Sequence, residues 1–264
     1  IEGDTMVFYV ESGFQRQVIL GQYEGKIKKA IWEVLGLQLD LKIIAGDDAS
    51  AQPQTAEQNT SGNLFSNDSS NYEYSFENFI VGPSNKYAHA ASQAVAKHPA
   101  SRYNPLFIYG GSGLGKTHLL YAIGNEIKKN TPGANILYTT CEFMTNELIE
   151  AIKNKTPEDF RNKYRQVDVL MVDDIQFISG KESTMDEFFY TFNALHQANK
   201  QVVLTSDRPP KEIATLSDRR RSRFEMGLLA DIQPPDLETR IAIIKRKAQI
   251  FGVDIDNDVA AYIA

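Results

Sequence analysis

Eight residues, Gly110-Gly111-Ser112-Gly113-Leu114-Gly115-Lys116-Thr117, have the types and spacing to hold a chain of phosphates. Gly110, Gly113 and Gly115 let backbone N–H groups curl round phosphate oxygens, Lys116 reaches the β and γ phosphates, and Thr117 offers a hydroxyl to Mg²⁺. The apolar run Leu106-Phe107-Ile108-Tyr109 comes before and the helix-like stretch His118 to Lys129 after, the setting such a loop requires. The chemistry predicted is nucleotide binding.

Three further groups have residue types that would act on a bound triphosphate. Val169-Leu170-Met171-Val172 reads as a buried strand ending in Asp173-Asp174. One carboxylate there can hold Mg²⁺ through its water shell and the next can orient an attacking water. Val202 to Thr205 is another strand, followed by Ser206-Asp207. Asp207 has two readings, a γ-phosphate sensor or a strand-end turn residue. Ser217 to Phe224 carries four arginines, Arg219, Arg220, Arg221 and Arg223. An arginine here can reach a γ-phosphate held by a neighbouring subunit, and nucleic-acid binding by the cluster is the competing reading.

These groups need a scaffold that gathers them at one edge. Apolar strands at Leu106 to Tyr109, Asn135 to Thr139, Val169 to Val172, Val202 to Thr205 and Leu228 to Ile232 alternate with helical stretches. That alternation predicts an α/β fold, a parallel five-stranded sheet with helices on both faces and the ligand at the carboxyl ends of the strands. Pro234-Pro235-Asp236 then opens a helix running to about Phe251.

Ahead of this core, residues 1–45 read as strand, helix and strand: Thr5 to Val10, a helix with Leu20, Tyr23, Ile27, Ile31 and Val34 on one face, and an alternating run from Leu37 to Ile43. Gly46 to Ser70 is poor in large apolar residues and reads as a flexible tether. The expected division is therefore 1–45 as an interaction module, 46–70 as linker, 71–233 as nucleotide-binding core and 234–264 as the start of a helical lid.

Net charge is −6 over 264 residues, and the three stretches 1–45, 46–70 and 71–264 carry −1, −4 and −1. A nearly neutral core gives no global electrostatic case for nucleic acid, so any such contact rests on local patches. No apolar run approaches a membrane span and no leader opens the chain. The single Cys141 cannot form an internal disulfide, which fits a reducing, cytoplasmic setting. A GTPase is disfavoured, since no N-K-x-D motif follows the loop.

In this order the motifs resemble the bacterial DnaA family, replication initiators of the AAA+ ATPase class. The likeness runs through Tyr74 to Asn85, Asn104 to Ile127, Val167 to Leu195, Thr205 to Ile213, Ser222 to Leu228 and Pro234 to Ile243. It implies ATP and ADP as ligands, Mg²⁺ as cofactor, and a slow ATPase used as a switch. By motif position it makes Gly113, Gly115, Lys116 and Thr117 nucleotide ligands, Asp173 the metal carboxylate and Asp207 the sensor. Arg223, with Arg219 nearby, becomes the finger presented in trans. Asp174 stands where many AAA+ motors have Glu, one methylene longer, from which slow turnover is expected.

The same resemblance implies that Phe79 to Asn85 lines an adenine pocket, and that extra helices at about Glu142 to Tyr164 steer copies into an ATP-dependent filament. Single-stranded origin DNA would touch Ile149 and Lys181; Ser183 replaces an arginine found in some relatives, so a weaker salt dependence is expected. Residues 1–45 would be the latter part of a KH-like domain that contacts the replicative helicase, with Phe14 either at that contact or anchoring its own helix. Acidic membrane lipids join the implied partners. A sensor arginine in the lid and a duplex-reading helix-turn-helix are expected past Ala264. A helicase loader of the same clade is the alternative reading.

Overall fold

The structure, a computed structural model, describes residues 5–10, 27, 40–45, 74–214 and 216–264. They belong to two units, Ile1–Asn59 and Thr60–Ala264. In the first, β1 (Thr5–Val10) pairs in parallel with β2 (Asp40–Ala45), Thr5 opposite Asp40 and Val10 opposite Ala45. The second strand starts inside the alternating run and extends beyond it. The helix face from Leu20 to Val34 (Ile27 apart), Phe14 and the 46–70 tether lie outside the described residues.

The second unit begins with α1 (Lys86–Lys97) and β3 (Leu106–Tyr109). The loop then leads into α2 (Lys116–Asn130), β4 (Ile136–Thr140), α3 (Cys141–Lys153), α4 (Pro157–Arg165) and β5 (Val169–Asp173). After a 3-10 turn at Ile175–Ile178 come α5 (Glu182–Gln197), β6 (Gln201–Ser206), α6 (Asp218–Glu225) and β7 (Leu228–Asp231). α7 (Leu237–Ile250) and α8 (Asn257–Ile263) follow. α2 starts two residues earlier than the sequence pattern gives, because the lysine and threonine of the loop are themselves its first turn.

The five strands are parallel in the order β4-β5-β6-β3-β7, so the strand leading into the phosphate loop sits inside the sheet. Alternation along each strand sends side chains to opposite faces. Leu106, Ile108, Val169, Met171 and Val203 pack with α1 and α2 residues such as Ala88, Leu119 and Ile123. Phe107, Leu170, Val172, Val202 and Leu204 pack against Met144, Tyr164, Phe188 and Phe224 from α3 to α6. With both faces covered, the open part of the sheet is its carboxyl edge, where parallel sheets take ligands.

α3 and α4 form a hairpin between β4 and β5. Thr140 accepts a hydrogen bond from Phe143 N at 3.1 Å and starts α3 at Cys141, while Pro157 opens α4. Glu147 on α3 accepts from Lys163 and Tyr164 on α4, and Glu187 on α5 accepts from Arg161 and Arg165, which fastens the hairpin to the core. Among the described residues, no helix is long and apolar enough to cross a membrane.

Candidate functional site

The phosphate loop leaves β3 at Gly110, whose N–H donates to Ser206 O at 3.2 Å across the carboxyl edge. Gly110 has φ +152°, and a Cβ there would lie 2.3 Å from Ile232 O, so glycine alone permits the approach. At the other end Gly115 has φ +97° and caps α2, with the Phe79 ring 2.9 Å from where a Cβ would stand. The N–H groups of the first turn of α2 thus open onto the loop, with the positive end of the helix dipole behind them. Lys116 is buried and donates from Nζ to Gly110 O and Gly111 O, 2.8 Å each, so its ammonium lies within the loop.

Asp173 joins this loop to the sheet. It is 4% exposed, and its Oδ2 accepts from Thr117 Oγ1 at 2.8 Å and from Tyr138 Oη at 3.1 Å. Its Oδ1 accepts from Thr205 Oγ1. Burial first, and then the Asp173 charge, pushes the Tyr138 phenol far above its ordinary range, so it remains a donor. Thr205 and Tyr138 escaped sequence reasoning. The parallel register carries the missing signal, since it sets Thr140 opposite Asp173 and Tyr138 one step along the same face.

A carboxylate and a hydroxyl in contact are an oxygen pair of the kind Mg²⁺ uses beside substrate phosphates. The described residues contain no group of three or more His, Cys, Asp or Glu that would cage a metal by themselves, so the fit is to a cation completed by phosphate and water.

Asp174 adopts a left-handed backbone, φ 56° and ψ 49°, uncommon for a non-glycine residue. Its N–H donates to Thr205 Oγ1 at 3.0 Å, and its Oδ1 accepts from Gln176 Nε2 at 3.1 Å. Gln176 Oε1 in turn accepts from Asp207 N at 3.3 Å, so Gln176 bridges the two acids. The Asp207 carboxylate is directed at Arg208, whose hydrogen bonds and charge, with Lys116 contributing, hold it below the usual carboxylate range. Cys141, fully buried at the start of α3, has its thiol pushed up to about 11 by burial, which leaves it inert as a nucleophile at neutral pH.

The structure sorts the four arginines of α6. Arg220 bonds Glu182 and Asp186 on α5, and Arg221 pairs with Asp218 one turn back. Arg219 and Arg223 line a cavity of about 550 Å³ with Phe192, Asn193 and His196 of α5. Among the described residues neither has a carboxylate partner, and no residue of 110–117 lines that cavity. Phe224, wholly buried, fixes α6 by packing on Phe107, Phe188, Phe189 and Phe192 at ring separations of 5.2 to 6.5 Å.

Ile149 is 45% exposed on α3, and Lys181 is exposed at the cap of α5, both away from the loop's hydrogen bonds. Lys181 is close enough to the start of α3 for its charge to act on Cys141. Segment 79–85 lies between the loop and α7, with Phe79 against Gly115 and Gly82 against the buried Thr239. Asn85 closes that segment, accepting from Gly82 N at 2.9 Å and donating to Ile80 O at 3.0 Å.

Known proteins are similar to this chain in sequence and fold. The chain is 51% identical, over 99% of its length and 59% of the relative's, to the chromosomal replication initiator protein DnaA of Caldanaerobacter subterraneus subsp. tengcongensis. Domain III of the DnaA replication initiation protein from Thermotoga maritima superposes with a TM-score of 0.70 at 47% identity, covering 72% of this chain and 80% of that one. A replication initiator DnaA bound to AMPPCP and single-stranded DNA gives 0.68 at 44%, covering 72% and 59%. The chain spans under two thirds of the length of that first relative. The family described as the bacterial DnaA ATPase domain matches residues 70–231, the stretch holding the loop, both strand-end acids and the arginine helix, and the chain belongs to that family.

Proposed function

We propose that this chain forms the nucleotide-switched assembly core of a replication initiator. ATP sits in the loop at 110–117, with Lys116 on its β and γ phosphates and with Thr117 and Asp173 holding Mg²⁺. Held there by Thr117 and Asp173, the cation would supply positive charge against the phosphates. Asp174 and Asp207, spaced by Gln176, orient the water that ends the ATP state. Arg223 and Arg219 of one copy read the γ-phosphate held by the next, so ATP favours an ordered filament and hydrolysis disperses it. Single-stranded origin DNA follows the Ile149 and Lys181 surface, and helicase recruitment, duplex reading and lipid contact belong to the wider initiator. A cytoplasmic setting follows from that role. The family match is to the initiator's ATPase domain, which gives the helicase-loader reading less support.

The observation that carries this reading is the unequal treatment of the arginines: two pair with nearby carboxylates, and two face a cavity that no residue of their own phosphate loop lines. The test is sedimentation of wild type and Arg223→Ala with ATP, ADP or no nucleotide. Arg223→Ala is expected to bind ATP as tightly as wild type yet fail to assemble with it. Assembly that is equal in ATP and ADP, or indifferent to the substitution, sinks the reading.

A further inference from the structure

We infer that Tyr138 is a positioning residue for the Asp173 carboxylate, held in place by the ring of Tyr121. This rests on the reading of Thr117 and Asp173 as the oxygens that hold Mg²⁺.

A carboxylate has about four lone-pair sites. Three hydroxyls, from Thr117, Thr205 and Tyr138, occupy three of them on a side chain that is almost wholly buried. Thr205 fixes Oδ1 from the neighbouring strand. Thr117 and Tyr138 share Oδ2 from opposite origins, one on the phosphate-loop helix and one on β4. Thr117 has a second duty toward the cation, so Tyr138 is the donor that holds Oδ2 whatever Thr117 does. A carboxylate fixed from both ends presents its remaining lone-pair site in one direction, and so meets the hydration shell of a bound cation without reorganising.

Tyr138 itself is held. Its ring packs on Tyr121 of α2 at a centroid separation of 4.9 Å and an interplanar angle of 33°. Tyr121 in turn stacks on Tyr74 at 5.4 Å and 28°, while Asn125 donates to Tyr74 O at 3.0 Å. The hydroxyl that orients the acid is thus backed by two further aromatic rings, both anchored on the helix that opens the phosphate loop.

The test is binding of a fluorescent ATP analogue, titrated with MgCl₂ and repeated in chelator, for wild type, Tyr138→Phe, Tyr121→Leu and Asp173→Asn, with thermal melts to verify folding. Tyr138→Phe is expected to raise the Mg²⁺ midpoint about tenfold, as the loss of one hydrogen bond to a charged group implies, while affinity in chelator stays within about twofold. Tyr121→Leu moves the midpoint in the same direction, and combining the two adds little, because both act through one hydroxyl. A midpoint for Tyr138→Phe that stays put or falls overturns the inference, as does a parallel loss of affinity in chelator, which marks a merely structural role. Should Tyr138→Phe fail to fold, the Tyr121→Leu midpoint decides on the same terms. If Asp173→Asn keeps the full Mg²⁺ dependence, the metal reading falls and takes the inference with it; if that variant loses the dependence and Tyr138→Phe matches wild type, the inference alone is lost.

Discussion

The Arg208 guanidinium grips the Asp207 carboxylate with two hydrogen bonds, Nε to Oδ1 at 2.8 Å and Nη2 to Oδ2 at 2.7 Å. The acid at the tip of β6 is therefore half of a neutral pair, set beside Lys116. Removing Arg208 exposes a negative charge close to the triphosphate. Arg208→Ala is expected to weaken ATP binding by about threefold more than ADP binding, a modest effect because both side chains are partly solvated. Adding Asp207→Asn should erase the difference. Calorimetric titration with both nucleotides checks this, and equal losses for ATP and ADP count against it.

Glu187 is the node that holds the α3–α4 hairpin to α5. Its carboxylate is 12% exposed and meets Arg165 at 2.6 Å and Arg161 at 3.1 Å. Glu187→Gln should cost about 1–2 kcal/mol in urea unfolding, a range set by charge-assisted hydrogen bonds to arginines that keep some contact with water. A double-mutant cycle with Arg165→Ala should show a coupling well above that of the exposed Arg161–Glu158 pair on α4.

Phe224 adjoins Arg223 in sequence, and its burial sets the position of the helix that carries the arginine pair. Phe224→Ala should lower stability by about 3–5 kcal/mol, and Phe224→Leu by less. In the leucine variant ATP-dependent assembly should suffer before ATP affinity does, since the phosphate loop lies elsewhere. Sedimentation and nucleotide titration on the same preparation separate the two.

Asp168 gives a pH signature. A hydrogen bond from Lys200 at 2.6 Å, and next one from Asn135 N at 2.9 Å, hold its carboxyl below the usual range. A folded-state pKa below the unfolded value of about 3.9 means stabilisation that is present above that pH and lost as pH falls through the folded value. The side chain is 45% exposed, so the amount is small, about 0.5 kcal/mol. Melting curves of wild type and Asp168→Asn should differ at pH 7 and converge as pH falls through the folded-state pKa, below the usual carboxylate range.

Much of the fold was legible because apolar runs of strand length recur between helical stretches, and each expected strand of the core lies within two residues of an observed one. The loop was legible because its spacing is set by local backbone geometry. Thr205 and Tyr138 were not, since their value depends on which strands are neighbours, and sequence order does not reveal that β5 lies between β4 and β6. The division of labour among Arg219, Arg220, Arg221 and Arg223 was also hidden. It follows from which face of α6 meets the acids of α5, a tertiary matter.

The position of β3 inside the sheet has a kinetic meaning. Its two partners are β6, starting at Gln201, and β7, starting at Leu228, so the strand that launches the phosphate loop stays unpaired until the chain has been made well past residue 200. Pairings so distant in sequence are slow to form. Nucleotide capture by a nascent chain is therefore expected only after β6 and β7 have been made. ATP at saturating levels should then act as a ligand chaperone, favouring the folded core by mass action and sparing the late-pairing strands from aggregation.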